Sequence, residues 1–194
     1  LYADDAFDLV DPRVTEALEP AVLRATVAVG PREDVTVSPE GLPAWFDTFR
    51  ILQAAEIWGN HGPWIESVKP EFGPGVRDRF VWASQVKPED VAAGQKKHHG
   101  IKARIDELIQ EGDVLCLPTS PRVAPFKNTP TDDMEVRFRH QAMCLLCISG
   151  LGGLPQVSLP LVPLDGLPLG LSLVARKGGD LMFLALTRKL MNNS

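Results

Sequence analysis

The chain has 194 residues, 44% of them apolar and 23% charged, with a formal net charge of -5. That length supports one sizeable hydrophobic core rather than two, and the composition is that of a folded globular protein rather than a disordered one. A mildly acidic surface offers no general attraction to nucleic-acid backbones or anionic lipid, and no apolar run reaches the roughly 20 residues of a membrane span, so neither nucleic acid nor membrane insertion is expected.

In chain order, Asp11-Pro12 reads as a helix start, an N-cap carboxylate followed by proline at the first helical position. Val14, Leu18, Ala21, Val22 and Ala25 then recur at helical spacing until Gly30-Pro31 stops them. The β-branched run Val35-Thr36-Val37 predicts a short strand. Gly41 to Gly59 predicts a second helix with Trp45, Phe46, Phe49, Leu52 and Ala55 on its apolar side. Two glycines and a proline in Gly59-Asn60-His61-Gly62-Pro63 predict its end, and a long loop through Gly75, stiffened by Pro70 and anchored by Phe72, should follow. A short helix over Val76 to Ser84 comes next. Pro88 opens a charged helix to about Glu111 with Val91, Ile101, Ile105, Leu108 and Ile109 as its stripe. Its basic run Lys96-Lys97-His98-His99 has acidic neighbours and no interleaved aromatic, so it reads as a solvated helix face.

Asp113 to Leu117 carries four consecutive apolar residues between Gly112 and Pro118, as expected of a strand buried on both faces. The proline-rich loop from Pro118 to Thr131 leaves the C-terminal end of that strand, where α/β proteins place ligands. Asp132 and Asp133 can cap a helix to about Ser149, broken by Gly150-Leu151-Gly152-Gly153-Leu154-Pro155. Gln156 to Leu161 and Leu169 to Val174 read as strands of a hairpin turning near Asp165-Gly166, and Asp180 to Leu190 reads as a closing helix. The expectation is an α/β protein, a mixed β-sheet covered by helices, without a linker that would divide it.

No nucleophile-and-base pair, phosphate loop or metal spacing stands out. Cys116, Cys144 and Cys147 are odd in number and lie in apolar surroundings, which favours a reducing, cytoplasmic setting over a disulfide framework. The Cys144-x-x-Cys147 spacing lacks further ligands for zinc and reads as small core residues.

Three stretches carry a resemblance. Asp113-Val114-Leu115-Cys116-Leu117-Pro118-Thr119-Ser120-Pro121 with Ala124-Pro125, then Gly153-Leu154-Pro155-Gln156-Val157-Ser158-Leu159-Pro160, then Gly166-Leu167-Pro168-Leu169-Gly170-Leu171-Ser172-Leu173-Val174, resemble in order the late segments of the amidase-signature family. Asn60-His61-Gly62-Pro63-Trp64-Ile65 and Val68-Lys69-Pro70-Glu71-Phe72-Gly73 look like the plant indole-3-acetamide amidohydrolase branch. A related non-catalytic receptor of the chloroplast envelope shares the same region, and a non-catalytic receptor or interaction domain is the alternative expectation. The chain departs from the usual pattern at Gly150, where asparagine is common, at Gln156, where alanine is common, and at Ser172, where glutamine is common.

The resemblance implies that residues 1–194 are the C-terminal part of one amidase domain; the start at Leu1 rather than methionine agrees with a piece of something longer. The family's lysine, cis-configured serine and nucleophilic serine lie upstream of the matched region, and no Gly-Gly-Ser-Ser stretch occurs here. No residue of this chain is therefore assigned a catalytic role, and the fragment alone is expected to be inactive. The implied partners are a small-molecule amide and the missing N-terminal segment, with no metal or cofactor. Thr119, Ser120 and Pro121, leaving the buried strand, are candidates for the pocket side. Gly150, Gly152 and Gly153 would allow close backbone approach, and Trp58, His61 and Trp64 would line or gate the pocket.

Overall fold

The computed structural model describes residues 1–192. A five-stranded mixed sheet has the order β2-β1-β3-β5-β4. Strands β1 (Tyr2–Ala3) and β2 (Asp34–Val35) run parallel to each other, and β1 runs parallel to β3 (Val114–Pro118). Strand β5 (Leu167–Ala175) is antiparallel to both β3 and β4 (Gln156–Leu164). Every residue of β3 is buried, as its unbroken apolar run requires of a strand with neighbours on both edges.

Between the strands lie α1 (Asp4–Phe7), α2 (Pro12–Val29), α3 (Leu42–Val68), α4 (Pro74–Ser84), α5 (Pro88–Leu108) and α6 (Arg139–Gly152), and α7 (Asp180–Asn192) follows β5. Helix α2 starts as its sequence predicts, with the Asp11 carboxylate accepting the Arg13 N–H at 2.9 Å, and its stripe Val14, Leu18, Ala21, Val22 and Ala25 is buried. It lies against β3, β4 and β5, and α7 lies against α2 and β4. Helix α3 packs with α4, α5 and α6. One continuous core joins Leu18, Trp45, Ile105, Leu115, Ile148 and Leu171.

Four expectations are corrected. First, α3 does not end at Gly59; it runs through Gly59-Asn60-His61-Gly62-Pro63 to Val68 and stops only at Lys69, which is left-handed (φ 49°). Pro63 cannot donate to the Gly59 carbonyl, but both residues face solvent, so water can take that carbonyl. Gly62 lets the Trp58 indole lie over the helix, since a Cβ there would sit 2.9 Å from Trp58 Cε2. Edge-on contacts of His61 with Phe80 and of Trp64 with Phe72 then hold the extra turns, so packing overrides propensity. Second, the strand expected at Val35-Thr36-Val37 is only Asp34–Val35, because the Val37 and Ser38 N–H groups donate to the Asp5 carboxylate instead of a strand. Third, Asp132 and Asp133 do not cap a helix. Residues Asp132–Phe138 form a π-helical run leading into α6, and the Arg139 N–H bonds the Met134 carbonyl five residues back. Asp133 instead pairs with Arg122. Fourth, α6 continues past Ser149 through Gly150 and Gly152 and turns at Gly153 (φ 62°).

The hairpin forms as expected, tightened to a two-residue turn at Asp165 (φ 54°) and Gly166 (φ 76°), the pair of positive φ values that a twisted hairpin favours. Both cysteines of the C-x-x-C are fully buried on α6. Of the basic run, His98 is not simply solvated: its Nε2 lies 2.7 Å from the Leu151 carbonyl and supplies a partner for the last turn of α6.

Candidate functional site

Thr119, Gln156, Ser158, Gly170 and Ser172 come from the three separately recognised stretches, and they meet at one place. Strands β3, β5 and β4 lie side by side, with Ser158 opposite Ser172 and Leu117 opposite Ser172 in register. Thr119 Oγ1 lies 2.8 Å from Ser158 Oγ and 2.9 Å from Ser172 Oγ, and the Gln156 amide donates to Ser172 Oγ at 3.0 Å. Ser149, in the last turns of α6, donates to the Gln156 amide oxygen. The result is a hydroxyl–amide chain running Ser149, Gln156, Ser172, Thr119, Ser158. Its middle member Ser172 is fully buried and needs these partners, because a buried hydroxyl without them is costly. The Thr119 N–H also donates to the Gly170 carbonyl at 3.0 Å. A Cβ at Gly170 would stand 2.7 Å from Thr119 Oγ1 and 2.8 Å from Ser158 Oγ, so glycine there admits the network. Sequence reasoning singled out Thr119 but noted Gln156 and Ser172 only as departures, and passed over Gly170.

The other residues of this loop are held by their own contacts. Ser120 donates to the Arg122 carbonyl at 2.8 Å, and buried Pro121 offers its carbonyl to the Asp11 N–H at 3.2 Å. The glycines differ in what they do. A Cβ on Gly150 would meet Phe49 at 2.9 Å, and one on Gly152 would meet Leu154 at 2.8 Å, so both allow close packing of side chains from elsewhere. Nothing in this chain lies within 4 Å of where a Gly153 Cβ would stand, and its positive φ of 62° ends α6.

A groove of about 750 Å³ lies elsewhere, between α3, α4, the π-helical run and α6. Phe46 and Ile57 of α3, Phe80 of α4 and Met143 of α6 supply apolar wall, and Arg50, Arg79 and Arg139 stand at it. The Arg50 guanidinium lies over the Trp82 ring at 4.8 Å, a cation–π contact. Glu135, on the π-helical run, takes Arg79 at 3.3 Å and Arg139 at 3.6 Å. These pairs are half-exposed and individually worth about 0–1 kcal/mol, so a ligand can rearrange them. None of the residues chosen from sequence lines this groove. Its lining is spread over four elements, and each member alone reads as ordinary helix amphipathicity.

Trp58 lines a second, smaller groove of about 550 Å³ together with Ile65, Phe72, Arg77, Phe80 and Val81. His61 and Trp64 stand exposed next to it, edge-on to Phe80 and Phe72. These three residues therefore gather on the far part of α3, apart from Thr119 and the glycines of α6.

Burial pushes the thiols up, Cys116 to about 12, Cys147 to about 12 and Cys144 to about 11, so none is a thiolate nucleophile at neutral pH. Alkylation at pH 8 without denaturant should leave Cys116, Cys144 and Cys147 unlabelled, and peptide mapping after denaturation should recover label on each. Because the folded pKa values lie above the ordinary 9.0, the thiols' contribution to stability is complete below pH 9 and is lost as pH rises toward about 12. Among the described residues no cluster of three or more His, Cys, Asp or Glu could hold a metal ion, and no helix is long and apolar enough to cross a membrane.

No protein-family profile matches the chain. Individual proteins do. Amidase 1 of Arabidopsis thaliana is 37% identical over 162 residues, covering 81% of this chain and 38% of that relative. The chloroplastic outer envelope protein 64 of the same plant is 28% identical over 137 residues, covering 69% of this chain and 23% of that protein. The chain thus spans well under half the length of these relatives. A crystal structure of an amidase superposes with a TM-score of 0.85 at 20% identity, over 99% of this chain and 44% of that one, which establishes a shared fold. Over the stretch it spans, the chain is a homologue of the amidase-signature proteins.

Proposed function

We propose that this chain is the C-terminal part of an amidase that hydrolyses a small primary amide of the aryl-acetamide class, with indole-3-acetamide the first substrate to test, to the carboxylic acid and ammonia. The observation that carries the reading is the convergence of the three amidase-like stretches in one hydrogen-bonded network of Thr119, Gln156, Ser158 and Ser172, in a chain 37% identical to a plant amidase. The groove between α3, α4 and α6 supports the substrate class. It falls within the roughly 300–1,000 Å³ of small-ligand pockets, and its aromatic and aliphatic walls suit a planar ring while the arginines at its edge suit an acyl oxygen.

On this reading the chemistry follows the resemblance. A lysine, acting through a cis serine, takes the proton of a nucleophilic serine, which attacks the amide carbonyl while backbone N–H groups hold the oxyanion. The amine leaves as ammonia after protonation, and water cleaves the acyl-serine to release the acid. These three side chains belong to the part of the protein upstream of the region described, and this chain supplies pocket wall and support. The reaction calls for neither metal nor cofactor. Three buried, unpaired cysteines support a cytoplasmic setting.

The test is ammonia release from indole-3-acetamide by the full-length protein, with residues 1–194 alone as the comparison. Turnover by the full-length protein and none by the fragment is expected. Absence of turnover on indole-3-acetamide, phenylacetamide and simple aliphatic amides would sink the reading. The similarity to the outer envelope protein 64 would then favour a non-catalytic, amidase-like interaction domain.

A further inference from the structure

We propose that Phe80 is a specificity-determining residue that fixes how long an acyl group the groove accepts; this rests on the groove being the substrate pocket. Phe80 lines both the groove of about 750 Å³ and the one of about 550 Å³, and among the described residues it is the one common to their linings. The helical period explains the arrangement. On α4, Val76, Arg79 and Ala83 face the larger groove, while Arg77, Val81 and Ser84 face the smaller one, and Phe80 falls on the ridge between them. The opposite wall divides the same way, with Ile57 of α3 facing the larger groove and its neighbour Trp58 the smaller.

The ring is held where it stands. Phe72 packs on it with centroids 4.8 Å apart, and His61 meets it edge-on at 6.4 Å. Trp64 in turn meets Phe72 at 6.3 Å. This aromatic stack, built on the helical continuation through Gly62 and Pro63, backs the partition from the side of the smaller groove. A ring with a short acyl arm ends against Phe80. A longer arm needs the space beyond it, which is apolar along Trp58, Ile65 and Phe72 and carries Lys69 and Arg77. Removing the ring joins the two spaces into one channel.

The experiment compares full-length wild type, Phe80→Ala and Phe80→Leu, with phenylacetamide as the short amide and 6-phenylhexanamide as the long one. Calorimetric affinities for both amides are measured alongside kcat/KM for ammonia release. The long-to-short ratio should rise roughly tenfold or more in Phe80→Ala, on the scale of losing or gaining apolar pocket contacts, and stay within a few-fold of wild type in Phe80→Leu, which keeps a bulky wall. An unchanged binding ratio in Phe80→Ala overturns the inference, as does failure of wild type to bind either amide. A shifted binding ratio without ammonia release would uphold Phe80 as the partition while removing the amidase reading. Ammonia release with unshifted ratios would do the reverse. If Phe80→Ala does not fold, Phe80→Val carries the same expectation with a smaller shift.

Discussion

Valine in place of Gly170 should lower stability by about 3 kcal/mol, the sum of an overpacking term and a broken buried network. The added Cβ would fall 2.7 Å from Thr119 Oγ1, 2.8 Å from Ser158 Oγ and 3.0 Å from Thr119 Cβ. Thr119 cannot simply swing away, because its hydroxyl also partners the fully buried Ser172 and its N–H is tied to the Gly170 carbonyl. Urea unfolding of the full-length protein measures the loss. Gly170→Ala should cost less, and Gly170→Ala combined with Thr119→Ala should cost less than the sum of the two single changes, since the second substitution removes the atom that the first one strikes. Wild-type stability in Gly170→Val, or strict additivity in the pair, would show that the network tolerates a side chain here and that the close approach is incidental.

The same network joins two positions at which the sequence departs from the pattern it resembles. The resemblance noted from sequence expects alanine at position 156, where Gln156 stands, and glutamine at position 172, where Ser172 stands. In the sheet, Ser158 is opposite Ser172, which makes Gln156 the diagonal neighbour of Ser172 on the same face of the hairpin. The amide that the pattern places on the outgoing strand comes here from the incoming one, and it bonds the serine that replaces it. The two departures therefore read as one exchange, with the hydrogen-bonding group kept and its point of attachment moved across the strand pair.

How far the sequence revealed the fold depended on whether an element's signal was local. Strand β3 declared itself by four apolar residues between Gly112 and Pro118, and α2 by an N-cap, a proline and a helical stripe, since burial on both faces and burial on one face leave different periods. Helix α3 misled because glycine and proline weigh against a helix in isolation, whereas His61, Trp64, Phe72 and Phe80 stabilise it only once α4 is in place. The candidate site divided in the same manner. Thr119 was visible because it directly follows a buried strand. The groove was not, because Phe46, Phe80 and Met143 are far apart in sequence and each sits in a helix whose pattern already accounts for it.

Gly153→Val is the second substitution expected to have a large effect, and its cause is backbone conformation. Gly153 ends α6 at φ 62°, and the Leu154 N–H bonds back to the Ser149 carbonyl at 3.0 Å, the geometry of a left-handed helix stop. Nothing lies within 4 Å of where its Cβ would be, so size is not the obstacle. A β-branched residue in this region is strained, and the expected loss is about 2 kcal/mol. Gly153→Asn, of the same order of size, should cost about half that or less, because asparagine tolerates left-handed φ. The reversal at Gly153 also aims the end of α6 at the start of β4, and so brings Ser149 to Gln156. Valine should therefore weaken the network from its far end and lower ammonia release in the full-length protein, while asparagine should largely spare it. Equal damage from valine and asparagine would point to the space around Gly153 rather than its φ, and would overturn the assignment of this residue as the helix stop that sets the site.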